Sequence, residues 1–82
     1  LVEFLPIGKG IEIIEIEVSD RMVGKTIVDM DLRRRYSLNV IAIHHEEQIE
    51  TDVRPDCRLC HGDTITVIGK EENVTRFADD YS

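Results

Sequence analysis

Three groups of residues in this chain have the side chains and spacing for chemistry. Arg33-Arg34-Arg35 places three of the ten basic residues in a row. A guanidinium fork donates paired, charge-assisted hydrogen bonds to an oxyanion. A local anion site can therefore form on a body whose formal charge is −7. Cys57-Arg58-Leu59-Cys60-His61 has the spacing of covalent haem attachment, two thioethers and a histidine ligand. The β-rich surroundings and the lack of an export leader count against haem. With His44 or His45, Cys57, Cys60 and His61 also offer four N/S donors for tetrahedral zinc. Adjacent histidines on a strand point to opposite faces, so His44 and His45 would not both ligate. A redox dithiol lacks its usual helix-start context. No serine or cysteine has a recognisable base partner, no Gly-rich phosphate loop occurs, and the carboxylates fall on faces expected to be wet. The chain is therefore expected not to be an enzyme.

The elements that must position these groups are legible in the patterning. Ile11–Val18 alternates apolar and acidic residues, with a phase slip at Ile13-Ile14 that predicts a bulge or a face-swapping twist. Thr26, with Asp29 three residues on, is close to a capping box. Val28, Leu32 and Tyr36, flanked by Ile27, predict one core-facing stripe on a short helix. Early Asp29 and Asp31 and late Arg33, Arg34 and Arg35 match that helix's dipole. Asn39–Ile43 is an unbroken apolar run and predicts a central strand buried on both faces. Gln48–Thr51 is its expected hairpin partner, and Pro55-Asp56 interrupts pairing. After the Gly62-Asp63 turn, Thr64–Ile68 is the last strand, ended by Gly69. Glu71 and Glu72 with Val74, Phe77 and Ala78 describe a closing amphipathic helix. The expected order is β-α-β-β-β-α, an α+β domain.

Size and charge narrow the functions further. A chain of 82 residues buries only about 60% of the surface its unfolded form exposes, which favours a dimer. Seventeen acidic residues against ten basic ones should repel DNA, RNA and anionic bilayers. No apolar run approaches the ~20 residues that span a bilayer. Two cysteines are too few for a secreted disulfide scaffold, so a cytoplasmic home is expected. The opening Leu1–Pro6 reads as a strand or linker, as in a piece of a longer protein.

The stretch Val23–Ile43 resembles the core of the RCK C-terminal (TrkA-C) domain, as do Pro55, Gly62-Asp63, Ile65, Val67 and Gly69 in order. The resemblance covers roughly residues 11 to 80. It implies a small β-α-β-β-β-α domain with a mainly antiparallel sheet that forms a homodimer. On this basis residues 1–10 are a linker or entering strand from a preceding Rossmann-like lobe, and 11–82 are the ligand-binding domain. The family is regulatory, and its members serve potassium channels, potassium-uptake systems and cation antiporters. A membrane cation transporter or channel subunit is thus the implied partner, reached through the parent protein at the inner face of the cell membrane.

In a subset of the family the dimer binds cyclic di-AMP, a nucleotide ligand rather than a resident cofactor. The positions that resemble that site are Ile27, Val28, Asp31, Arg33, Asn39 and Pro55. Arg33 would contact phosphate and Asn39 a base edge, while Ile27, Val28 and Pro55 pack on purines and Asp31 orients Arg33 or accepts from an adenine amino group. Each also has a plainer reading: core or dimer interface for Ile27 and Val28, a solvated helix end for the arginines, a turn cap for Asn39. The chain departs from the family pattern at Ser37, where glycine often follows the tyrosine, and at His44-His45. Two alternatives stay open, a ligand-free dimerisation module and a Cys/His metal or redox sensor.

Overall fold

A computed structural model of the chain describes residues 3–82. Its strands are β1 (Glu3–Gly8), β2 (Ile11–Glu17), β3 (Asn39–His45), β4 (Gln48–Glu50) and β5 (Thr64–Lys70). Its helices are α1 (Ile27–Met30), α2 (Leu32–Tyr36) and α3 (Glu71–Tyr81). The strands form one sheet in the order β1-β2-β5-β3-β4, with every pairing antiparallel. The fold is thus α+β, a sheet with helices packed on it. β1 hydrogen-bonds to β2 along the sheet edge.

The β-branched run Thr64–Ile68 becomes the middle strand because both of its neighbours supply buried partners. Ile65 and Val67 are completely buried, and period-two geometry sends both to the helix-covered face. Ile14, Ile16 and Val18 join them from β2 and the residue after it. Phe77 closes this core from α3, its ring 5.4 Å from Tyr36 and 5.1 Å from Tyr81.

Several expectations are corrected. The slip at Ile13-Ile14 makes no bulge against β5, since the β2–β5 register runs unbroken from Ile11↔Lys70 to Glu17↔Thr64. Irregularities fall instead in β1, between Pro6 and Gly8, and in β3, between Val40 and Ala42. β3 is not buried on both faces: Ile43 is buried while Ile41 is exposed. Helices cover one side of the sheet, and the irregularity between Val40 and Ala42 takes Ile41 out of the phase that period-two spacing would give it with Ile43. Gly69 lies within β5 rather than ending it, and a Cβ there would collide with the Leu38 side chain. In α3 the buried residues are Val74, Phe77 and Tyr81, with Ala78 outside.

The expected single helix is two. Asp31 takes a left-handed conformation (φ 50°, ψ 45°) that ends α1 and restarts the chain as α2. Aspartate tolerates this region better than most residues because its short polar side chain bonds locally. The break changes which residues face inward: Met30, Leu32 and Tyr36 are buried, whereas Val28 is 63% exposed. The core stripe therefore excludes Val28.

α2 ends on a second left-handed residue, Ser37 (φ 54°, ψ 35°), whose N–H bonds the Arg33 carbonyl. A Cβ in this conformation costs about 1 kcal/mol, and Ser37 is exposed, so its side chain packs nothing. Ser37→Gly should therefore stabilise the domain by up to about 1 kcal/mol, a rise of roughly 4–8 °C in thermal midpoint for this size. Differential scanning calorimetry reads it directly.

Candidate functional site

The start of α1 is built from two reciprocal hydrogen bonds. Thr26 Oγ1 accepts from the Asp29 N–H and Asp29 Oδ2 accepts from the Thr26 N–H, each at 3.1 Å. Hydrogen bonds from the Thr26 backbone and then its side chain hold the Asp29 carboxyl below its ordinary range. The remaining first-turn donors are also engaged. Ile27 N–H donates to the Cys57 carbonyl at 3.0 Å and Val28 N–H to the Pro55 carbonyl at 2.9 Å. This helix start therefore has no spare amides for an anion, unlike a phosphate-binding helix terminus.

Those same bonds fasten the 55–59 loop beside α1. Gly24 N–H donates to the Leu59 carbonyl, Leu59 N–H returns to Lys25, and the Arg58 guanidinium donates to the Gly24 carbonyl. Leu59 is buried beneath the loop. Pro55 thus stands next to Val28, although 27 residues separate them.

Between this loop, α1–α2 and the start of β3 lies an open cleft of about 440 Å³. Ile27, Val28, Asp31, Arg33, Asn39 and Pro55 all border it. Leu38, Val40 and Val53 border it as well and were not anticipated. Val53, two residues before the proline, is the one whose place in the loop gave a usable signal.

The three consecutive arginines have three different environments. Arg34 Nε pairs with Asp31 Oδ2 at 2.5 Å on the surface. Arg35 turns toward α3, where it donates to Tyr81 Oη at 2.9 Å and lies over the Tyr36 ring. Arg33 borders the cleft, and among the described residues it has no carboxylate partner. Its Nε donates to Asn39 Oδ1 at 3.0 Å. The terminal nitrogens of its fork remain available to a ligand. Asp31 consequently orients Arg34 and not Arg33, because the left-handed turn at Asp31 brings its carboxylate to the neighbouring arginine. Asn39 is what positions Arg33.

Among the described residues, Cys57, Cys60 and His61 do not come together with His44 or His45 in the four-donor set that their spacing left open. Cys57 is half-buried, and burial raises its thiol pKa. His45, Cys60 and Asp63 come together instead, without Cys57, His44 or His61. Asp63 is 3% exposed and its Oδ1 lies 2.5 Å from His45 Nδ1. Its Oδ2 accepts from the Cys60 N–H at 2.9 Å.

The hydrogen bond with Asp63, then its charge, raises the His45 pKa above the ordinary 6.5. A raised folded-state value means that the pair's stabilisation is fully present below 6.5 and is lost as pH rises through the raised value. Denaturant unfolding in chelator should show stability falling as pH climbs above 6.5. His45→Gln should remove that slope.

The fold is a two-layer α+β domain whose open cleft has apolar walls and is bordered by Arg33, an arginine with no carboxylate partner among the described residues. The chain belongs to the TrkA-C domain family, whose model matches residues 11–80. It is 25% identical over 77 residues to the Ktr system potassium uptake protein C of Bacillus subtilis (strain 168), covering 94% of this chain. The chain spans about a third of the length of the curated relatives it matches. Among solved structures it is similar to the RCK C domain of the potassium transport protein KtrA in complex with cyclic diadenosine monophosphate. That match has 31% identity and a TM-score of 0.80, and covers 83% of this chain and 80% of that one. The RCK_C domain dimer of S. agalactiae BusR in complex with c-di-AMP matches at 25% identity and TM-score 0.74, covering 84% of this chain and 93% of that one.

BusR has also been solved with its busAB-promotor DNA, where the match covers 34% of that chain. The exclusion of DNA drawn from net charge is corrected accordingly. It concerns these 82 residues and does not extend to a whole protein carrying such a domain.

Proposed function

We propose that this chain is the regulatory ligand-binding domain of a potassium transport protein, and that two copies bind one cyclic di-AMP across their paired clefts. The observation that carries this reading is the Arg33–Asn39 pair at the cleft. It holds a guanidinium without a carboxylate partner beside the apolar contacts of Ile27, Val28 and Pro55. Cyclic di-AMP has two phosphates and two purines related by a two-fold axis. An isologous dimer would offer each half of the ligand the same half-site. The c-di-AMP complexes of the KtrA and BusR domains support both the ligand and the pairing.

Exposed Val28 on the cleft rim fits this arrangement, since a ligand or a second copy seated there would take its apolar side chain out of water. Among the described residues no helix is long and apolar enough to cross a membrane. In this proposal the domain works at the cytoplasmic face, through a parent protein tied to the transporter. Ligand binding moves the transporter only by the difference in affinity between two subunit arrangements.

Isothermal titration of the domain with cyclic di-AMP, alongside sedimentation analysis, tests the reading. Saturable heat at one ligand per two chains is expected. A flat thermogram from a folded dimer would leave a dimerisation module without this ligand. A monomer at all concentrations would remove the two-fold site.

A further inference from the structure

We propose that His45, Cys60 and Asp63 form an exchangeable zinc site, separate from the cleft, with three protein ligands and a fourth position open to solvent. His45 is the last residue of β3 and Asp63 immediately precedes β5. Because His44 pairs with Thr64, antiparallel register sets His45 across from Asp63. The Gly62 turn then folds Cys60 back. Asp63 N–H donates to the Cys60 carbonyl at 3.1 Å, and Cys60 N–H donates to Asp63 Oδ2 at 2.9 Å. Two anchored segments thus deliver an imidazole nitrogen, a thiol sulfur and a carboxylate oxygen that all lie within 4.8 Å of one another.

Tetrahedral zinc, with bonds of about 2.0–2.3 Å, needs donors roughly 3.3–3.6 Å apart. The His45 Nδ1 to Asp63 Oδ1 distance of 2.5 Å must open by about an ångström, as expected when a metal replaces a shared proton. Cys60 is exposed and swings in by side-chain rotation.

Two further features fit a metal. The Asp63 carboxylate is 3% exposed, and its contacts with the His45 imidazole and the Cys60 N–H hold it in one orientation, which makes it a pre-positioned ligand. On the far side of the imidazole, Glu46 Oε1 lies 3.7 Å from His45 Nε2, longer than a hydrogen bond. Rotation of this exposed side chain would close the gap to the outer carboxylate contact common at metal-bound histidines. Mixed thiolate and imidazole donors select zinc over magnesium or calcium. The half-exposed imidazole and the exposed thiol leave one coordination position to water, which makes the metal exchangeable.

Cobalt(II) titration of the reduced 82-residue chain tests the site. Four-coordinate visible bands and a near-ultraviolet thiolate-to-cobalt band are expected, both bleached by one equivalent of zinc. Cys60→Ser should abolish the near-ultraviolet band and Cys57→Ser should leave it unchanged. Glu46→Gln should weaken zinc binding about tenfold. Cys60 and Glu46 are exposed and Cys57→Ser is nearly isosteric at a half-buried position against the core, and circular dichroism of each variant checks that the fold is kept. Absence of the thiolate band from the parent chain, or its survival in Cys60→Ser with loss in Cys57→Ser, overturns the proposal. Unchanged zinc affinity in Glu46→Gln overturns the supporting role of that residue.

Discussion

Arg33→Ala should weaken cyclic di-AMP binding by about 100-fold while leaving the domain as stable as the parent. Hydrogen bonds to a charged group contribute about 1.5–3 kcal/mol, and the upper half of that range corresponds to roughly a hundredfold in dissociation constant. In a two-fold complex the substitution removes both phosphate contacts at once. Stability is spared because Arg33 is exposed and, among the described residues, its side chain bonds only the exposed amide of Asn39. Arg33→Lys should recover only part of the affinity, since an ammonium lacks the planar fork. Arg34→Ala is the control with equal charge change. Its guanidinium is already paired with Asp31, so it should bind close to the parent level. If calorimetry found both alanine variants equally weakened, general charge and not a positioned fork would be responsible. Asn39→Ala should weaken binding less than Arg33→Ala, and adding it to Arg33→Ala should cost little more, because the two side chains act as one unit.

Phe77→Ala should be the most destabilising single substitution. The ring is completely buried between Tyr36 and Tyr81. Truncating a buried phenylalanine costs about 3–5 kcal/mol, transfer plus the cavity left behind. A chain of 82 residues has only about 4–12 kcal/mol in total at ordinary stability per residue. Urea unfolding should therefore show the variant losing about a quarter or more of the parent's stability, with a correspondingly lower midpoint. Added cyclic di-AMP should raise that midpoint with the logarithm of its concentration above the dissociation constant, as mass action requires. Val28→Ala provides the contrast. With that side chain 63% exposed, it should leave the unfolding midpoint nearly unchanged and act on ligand binding or pairing instead. A midpoint for Phe77→Ala within about 1 kcal/mol of the parent would contradict the packing account.

Patterns that depend on near neighbours were readable without the fold. The Thr26–Asp29 capping box, the β-branched run at Thr64–Ile68 and the acidic start of α3 each specify their own local structure. The family resemblance marked Ser37 as a position where glycine often follows the tyrosine, and α2 ends there on a left-handed residue. Where the sequence reading failed, the deciding contact was distant. The kink at Asp31 depends on placing Met30, Leu32 and Tyr36 together in one core, and no spacing rule for a continuous helix contains it. Ile41 reads as buried until the register irregularity between Val40 and Ala42 is seen to put it out of phase with buried Ile43.

The candidate residues follow the same division. Their types were legible, and the family resemblance marked six of them, but nothing local separates Arg33 from Arg34 and Arg35. Tertiary structure does so by giving Arg34 a carboxylate, Arg35 two tyrosines and Arg33 only a neutral amide. The cysteine motif shows the converse. Its spacing suggested that Cys57, Cys60 and His61 belong together, whereas strand register joins Cys60 to His45 and Asp63. Sequence alone determined the elements and the stock of reactive groups, because propensity, capping and hydrophobic period act over a few residues. The folded chain decided which groups meet, because pairing across the sheet and the loop latched onto α1 bring together side chains far apart along it.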